Sequence, residues 1–267
     1  MSQRPSPALP ANGFNEIAMC RGGPLLFNRN DQYVGTSLRK YGEFSPGEAE
    51  LFRQVVSPGM IVVEVGANIG AHTVELSRLV GPQGAVLAFE PQRIVFQTLC
   101  ANVALNSCAN VHAMQAAIGA VAGHIMVPFL PPDRAANFGG LSLIGATTGE
   151  QVPLRTLDEF VLPACHVIKL DLEGMEVEAL RGGEKLIATH RPVMYIENDR
   201  QDRSEELVGL LRGWNYRLYS HTPPLYAANN FAGDAENIFG NIVSINLLCL
   251  PAERNVVVHG LEEVSAA

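Results

Sequence analysis

The run Ile61, Val62, Val63, Glu64, Val65, Gly66, Ala67, Asn68, Ile69, Gly70 constrains the fold of this chain more than any other. Ile61, Val62, Val63 and Val65 are β-branched, which suits a strand buried on both faces, and the run ends in a loop bracketed by glycines. A second apolar run, Val86, Leu87, Ala88, Phe89, ends in a lone carboxylate, Glu90, followed by Pro91. Two such strands, the first closing on a glycine turn and the second on an acid, are how a doubly wound sheet presents a nucleoside-bearing cofactor. Glycine permits positive φ at the turn, and its missing Cβ lets backbone approach a ligand.

The loop departs from the dinucleotide pattern G-x-G-x-x-G, because Asn68 stands where the middle glycine would be. That glycine serves close approach to a pyrophosphate. A side-chain amide can instead hydrogen-bond the amino-acid end of a zwitterionic adenosyl cofactor, while Glu90 accepts from the ribose hydroxyls. The competing reading is an ordinary βαβ turn whose Glu90 is merely solvated.

Around this pair the chain divides into segments. Residues 1–13 read as a Pro-rich disordered tail, and 14–57 as an N-terminal extension of short strands and turns that closes in a helix. Ser45, Pro46 and Glu48 offer an N-cap, a proline at the first helical position and a glutamate three residues after the cap, a capping box for a helix running to Val56. The main domain is expected over 58–252, with strands over 61–65, 85–89, 111–115, 167–171, 193–197, 216–219 and 242–248. Helices are expected over 69–80, 92–105, 175–188 and 204–212. This alternation predicts right-handed βαβ units and a parallel sheet. Residues 123–154 break the rhythm and read as an inserted hairpin. Thr156 and Glu159 form a second capping box, opening a short helix. The loop over 220–240, with Tyr226, Asn229, Asn230, Phe231 and Asn237, reads as ordered and facing a substrate. Residues 253–267 form a C-terminal tail.

Composition excludes several classes of function. With 267 residues, 47% apolar and 17% charged, the chain can bury one large core plus a small appendage. Its net charge of −8 argues against a nucleic-acid partner, which needs a concentrated basic face. Five cysteines without a Cys-x-x-Cys pair argue against a disulfide framework or a zinc site and for a reducing compartment. The N-terminus lacks a signal-peptide pattern, and no apolar run approaches the roughly 20 residues of a membrane helix. A cytoplasmic, soluble protein without a membrane partner is expected; oligomeric state stays open.

A wider set of residues supports a family resemblance. Glu64 through Gly70, Phe89, Glu90 and Pro91, the approach from Tyr41 to Ser45, the run from Lys169 through Asp171 and Glu173 to Glu176, then Arg191, Pro192 and Glu197 together resemble the FkbM family of S-adenosylmethionine-dependent methyltransferases. The resemblance runs from about Tyr33 to Pro251. It implies the class I methyltransferase fold: a Rossmann-like, mostly parallel seven-stranded sheet, helices on both faces, last strand antiparallel. It also implies O-methylation of a hydroxyl on a sugar-containing small molecule or secondary metabolite. On this basis Glu64, Gly66, Asn68, Gly70, Glu90 and Asp171 bind the cofactor. The third strand lacks the acid that often holds the adenine amino group, so backbone at Ala117 and Ile118 would serve. Tyr41 and Glu43 would fold over the cofactor and acceptor.

Ligands in open α/β sheets lie beyond the carboxyl ends of the strands, where this chain places Asp171 and Glu173, then Glu197, Asn198 and Asp199. Asp171 or Glu173 is a candidate general base for an acceptor hydroxyl, and His221, opening the long loop, is another. Asn198 and Asn230 are candidate acceptor contacts. Asp171, Glu197 and Asn198 could instead hold a divalent cation, but Gly174 occupies the position of a lysine found in metal-dependent catechol-type methyltransferases. The metal-free reading is preferred. His72 reads as a packing or capping residue. The alternatives are N-methylation of a small amine, which needs no strong base, and a nicotinamide-dependent oxidoreductase, which Asn68 disfavours.

Overall fold

The computed structural model describes residues 9, 10 and 12–265. The expected tail over 1–13 falls largely outside them. Of the N-terminal extension, Asn15–Cys20 (β1) and Gly23–Asn28 (β2) pair as an antiparallel hairpin. Two helices follow, Val34–Tyr41 (α1) and Pro46–Val55 (α2). Helix α1 lies where turns were expected. Its sequence carries Gly35 and Thr36 and no acidic residue in the first turn, so local preference is weak. Burial of Val34, Leu38 and Tyr41 holds it in place.

The capping box expected at α2 does not form. Ser45 adopts left-handed backbone (φ 43) and makes no side-chain cap, and Glu48 is buried rather than folded back onto the helix end. The second box does form: Thr156 and Glu159 cap each other across a single 3-10 turn, Leu157–Glu159.

Ile61–Val65 (β3), Ala85–Phe89 (β4) and Val111–Met114 (β5) alternate with helices Ala71–Val80 (α3) and Arg93–Leu105 (α4). After β5 come the short Ala117–Ile118 (β6), which leaves the main sheet, and then Gly123–Val127 (β7) and Glu150–Arg155 (β8) at the two ends of the insertion. β7 and β8 are the antiparallel hairpin, and β6 joins β8 in parallel to make a separate three-stranded sheet. Val167–Leu170 (β9) returns to the main sheet. Helices Glu176–Arg181 (α5) and Glu184–His190 (α6) follow, then Val193–Glu197 (β10), Gln201–Gly213 (α7), Tyr216–His221 (β11), Asn246–Pro251 (β12) and Glu262–Glu263 (β13).

The single helix expected over 175–188 is broken at Gly182 and Gly183. A Cβ on Gly182 would lie 2.0 Å from the Gly119 carbonyl oxygen, so this approach of the insertion admits only glycine. The last long strand begins at Asn246, not at residue 242. Residues 242–245 stop short of the ladder, with Val243 bridging Pro224.

The main sheet has the order β13-β11-β12-β10-β9-β3-β4-β5. The five strands from β5 to β10 are parallel, and β12 runs antiparallel to both of its neighbours. Eight strands stand among the described residues against the seven expected, because β13, within the segment read as a tail, adds a two-residue edge.

Strand alternation divides the core. Val63, Val65, Leu87, Phe89, Ile168 and Leu170 face α5, α6 and α7, whereas Val62, Val86, Val167 and Tyr195 face α2 and α3. Period 2 then puts Glu64, Lys169 and Glu197 on the second side, at the carboxyl ends of their strands. All five cysteines are free, and four of them are buried. No helix among the described residues is long and apolar enough to cross a membrane.

Candidate active site

The strands β4, β3, β9 and β10 send their carboxyl ends toward one cleft of about 310 Å³. The glycine loop forms its floor. Gly66 (φ 80) and Gly70 (φ 85) both use the left-handed region, and so does Asn68 (φ 50) between them. A Cβ at Gly66 would stand 1.8 Å from the Asp171 carbonyl oxygen, so β3 and β9 can meet here only through glycine. The Asn68 carbonyl oxygen of its side chain accepts from Ile69 N–H at 2.7 Å, which leaves the amide NH2 beside Gly139 on the cleft wall.

Glu90 ends β4 as expected and is 4% exposed. Its carboxylate accepts the backbone N–H of Gln92 at 2.8 Å and of Asn68 at 3.1 Å, which ties the second strand to the glycine loop. Burial pushes its carboxyl up to about 7, against the pull of those two donors.

Glu90, Gly66, Gly139 and Asp171 also border a narrower slot beside the cleft. Ala116, Ala117 and Ile118 form one side of it; Leu141, Leu143 and Met175 stand among its other lining residues. The aliphatic lining from the insertion was not anticipated. Its signal was only that an insertion of such length must pack on something.

On the other side of the glycine loop the acids gather. Oxygens of Asp171, Glu173 and Glu197 lie within 4.8 Å of one another. Glu173 sits at positive φ (54) beside Gly174 (φ 106), and its N–H donates to Glu197 at 3.3 Å. Glu176 holds this turn by accepting from the N–H of Leu172 at 2.8 Å and of Gly174 at 3.2 Å. Burial and the neighbouring Asp171 raise the Glu173 carboxyl, while Arg200 pairs with it and lowers it. Burial, then Asp171, Glu173 and Asp199, push Glu197 up strongly.

Two organic cations already serve this cluster, Lys169 at Asp171 (3.0 Å) and Arg200 at Glu173. Asn198, suggested as a cation ligand with Asp171 and Glu197, is not among the residues that line the cleft; its backbone N–H donates to Ile245 carbonyl at 2.8 Å. Glu173 takes its place in the cluster.

Three further candidates are spent on structure. Tyr41 is 1% exposed; its hydroxyl donates to Glu236 carbonyl and accepts from Ile238 N–H, and its ring packs on Tyr226 and Phe239. Asn230 bonds Ala227, Asp234 and the Asp234 N–H, closing the long loop on itself. Of that loop only Leu225 reaches the cleft lining. His221 is half-buried, its Nδ1 is 2.8 Å from the Tyr195 hydroxyl, and burial lowers its pKa. It is absent from the cleft lining. Glu43 is buried against Arg21 in a neighbouring pocket, separated from the cleft by Phe44 and His72, which line both.

Sequence reasoning missed Glu48, Lys169 and the segment 242–245. Glu48 is buried with His72 Nε2 at 3.3 Å and Asn246 Nδ2 at 3.2 Å. Burial alone would raise its carboxyl, but His72 and Lys169 hold it at about 2. Ile242, Val243 and Ile245, each about two-fifths exposed, form an apolar lip with Tyr33, Val34 and Phe44 opposite the acids.

A doubly wound sheet with a glycine turn, a buried acid at the end of the next strand and an apolar slot at its carboxyl edge fits the class I methyltransferase type of fold. Residues 64–218 match the methyltransferase FkbM domain, and the chain belongs to that family. It is 29% identical over 143 residues to Methyltransferase 1 of Beauveria bassiana, covering 45% of this chain and 57% of that protein. It is 26% identical over 154 residues to Methyltransferase sdnD of Sordaria araneosa, covering 45% of this chain and 59% of that one. The matched segment thus spans less than two thirds of these relatives. A crystal structure of a methyltransferase FkbM from Methylobacillus flagellatus KT shares the fold with a TM-score of 0.50 and 18% identity, over 82% of this chain and 55% of that chain.

Proposed function

We propose that this chain is an S-adenosylmethionine-dependent methyltransferase that methylates a hydroxyl of a small, sugar-containing molecule or secondary metabolite. The observation that carries the reading is Glu90: a buried carboxylate at the end of β4, tied to the glycine loop and bordering both cleft and slot. The residues present fit the cofactor. The slot of Ala117, Ile118, Leu141 and Leu143 suits adenine, Glu90 the ribose, and Asn68 with Glu64 the amino-acid end. When bound, the cofactor would supply an electrophilic sulfonium methyl group, which passes to an acceptor oxygen attacking in line as the C–S bond breaks and the thioether S-adenosylhomocysteine leaves.

The protein's part is to position the acceptor and remove its proton. Glu173, raised toward neutrality by burial, is suited to take that proton, with Asp171 beside it as orienter. The acceptor rests against Tyr33, Phe44, Leu225, Val243 and Ile245. No metal is assigned, because Lys169 and Arg200 already pair with Asp171 and Glu173. The cytoplasmic setting expected from composition and the small-molecule acceptor implied by the family resemblance belong to the same reading. Calorimetric titration with S-adenosylhomocysteine tests it: one-site binding is expected, and absence of binding overturns it.

A further inference from the structure

Four elements send ionisable side chains to one buried spot beneath the cleft: Glu48 from α2, Glu64 from β3, His72 from α3 and Lys169 from β9. Lys169 is 3% exposed, and its ammonium donates to Asp171 Oδ2 at 3.0 Å. Among the described residues that bond is the one a protein group makes to the Asp171 carboxylate, and Lys169 is the one lysine or arginine lining the cleft. Against it stand Glu48, Glu64, Glu90, Asp171, Glu173, Glu197 and Asp199. Glu64 is fully buried with Thr73 Oγ1 donating to it at 2.6 Å.

Burial would strip the proton from Lys169, but Asp171, Glu64 and Glu48 reverse that and hold its pKa well above the ordinary lysine range. Lys169 is therefore a fixed cation and no base. Its neighbours were costly to assemble: Glu48 gives up its capping position, and the Ser45 hydroxyl is left buried without a partner. Local rules broken together in this way mark a functional centre.

We propose that Lys169 is a positioning residue for cofactor binding, acting through Asp171: it fixes the Asp171 carboxylate toward the cleft against repulsion from the acids around it. Lys169 itself need not touch the ligand. The inference rests on the methyltransferase reading above and deepens it.

The test is a double-mutant cycle on the full chain, with S-adenosylhomocysteine affinity measured by calorimetry for wild type, Lys169→Ala, Asp171→Asn and the double variant. Losing a charged hydrogen bond is expected to weaken binding roughly tenfold in Lys169→Ala. In the Asp171→Asn background the same change is expected to cost nothing further. Ethylammonium should restore affinity to Lys169→Ala, whereas ethanol at equal concentration should not. Lys169→Arg, which keeps the cation, serves if the alanine variant does not fold, and should bind within about threefold of wild type. Additive losses, equal rescue by ethanol, or unchanged affinity in Lys169→Ala would overturn the proposal. Failure of the wild type to bind S-adenosylhomocysteine overturns the methyltransferase reading itself, so the two failures are distinct.

Discussion

Replacing Gly66 by alanine should damage both stability and cofactor binding, by an amount set by backbone geometry. The residue has φ 80, and a Cβ there would stand 1.8 Å from the Asp171 carbonyl oxygen. The left-handed conformation costs an alanine about 1–2 kcal/mol. The contact is with backbone rather than a flexible side-chain tip, so relief requires β3 and β9 to part, adding about 1–3 kcal/mol of overpacking. Parting them strains the bond from Asp171 N–H to Val65 carbonyl (3.1 Å), worth about 1 kcal/mol. A total of about 3–6 kcal/mol is a large part of the roughly 5–15 kcal/mol available to a domain. Urea unfolding of Gly66→Ala beside Gly59→Ala measures it. Gly59 has a similar positive φ (84), but nothing lies within 4 Å of its Cβ, so it reports the conformational cost alone. Equal losses in the two variants, or wild-type S-adenosylhomocysteine affinity in Gly66→Ala, would refute the reasoning.

Other expectations concern titration and base assignment. Glu90 is held up to about 7 in the free protein by burial, so the folded state keeps a proton that the unfolded chain releases at the ordinary carboxylate value. Its contribution to stability therefore falls as pH rises from the ordinary carboxylate range toward 7. Ribose hydroxyls donating to the ionised form should release that proton, so affinity for S-adenosylhomocysteine should rise through the same window, with proton release visible as buffer-dependent heat in calorimetry; buffer-independent heats would contradict it. His221→Ala should leave that affinity within about threefold of wild type and cost about 1 kcal/mol of stability through the lost Tyr195 bond, read by urea unfolding. Abolished binding would restore His221 to the site. Glu90→Ala should abolish measurable binding and lower the urea midpoint, because the Asn68 and Gln92 N–H groups lose their acceptor; retained binding would remove Glu90 from the ribose role.

The parts of this fold legible in the sequence are those set by local pattern. β3 and β4 are the expected runs residue for residue, and Gly66, Asn68 and Glu90 line the cleft, whereas Gly70 stays behind it at the start of α3. What was hidden depends on contacts between distant segments. Gly182 looks like an ordinary helix glycine until the Gly119 carbonyl packs on it. Glu48 satisfies every local rule for a cap, yet His72, Asn246 and Lys169 draw it inward. Tyr41 and Asn230 carry the polarity of ligand contacts, but the long loop uses them to hold itself together. Lys169 could have been found, since a strand places it on the same face as Asp171 two residues on.

The most direct measurement is a crystal structure of the chain with S-adenosylhomocysteine. The account predicts adenine in the slot between Ala117 and Leu141, ribose hydroxyls on Glu90, the amino-acid end at Asn68, and the sulfur facing Asp171 and Glu173. Density for the ligand elsewhere, or with its ribose away from Glu90, would contradict it.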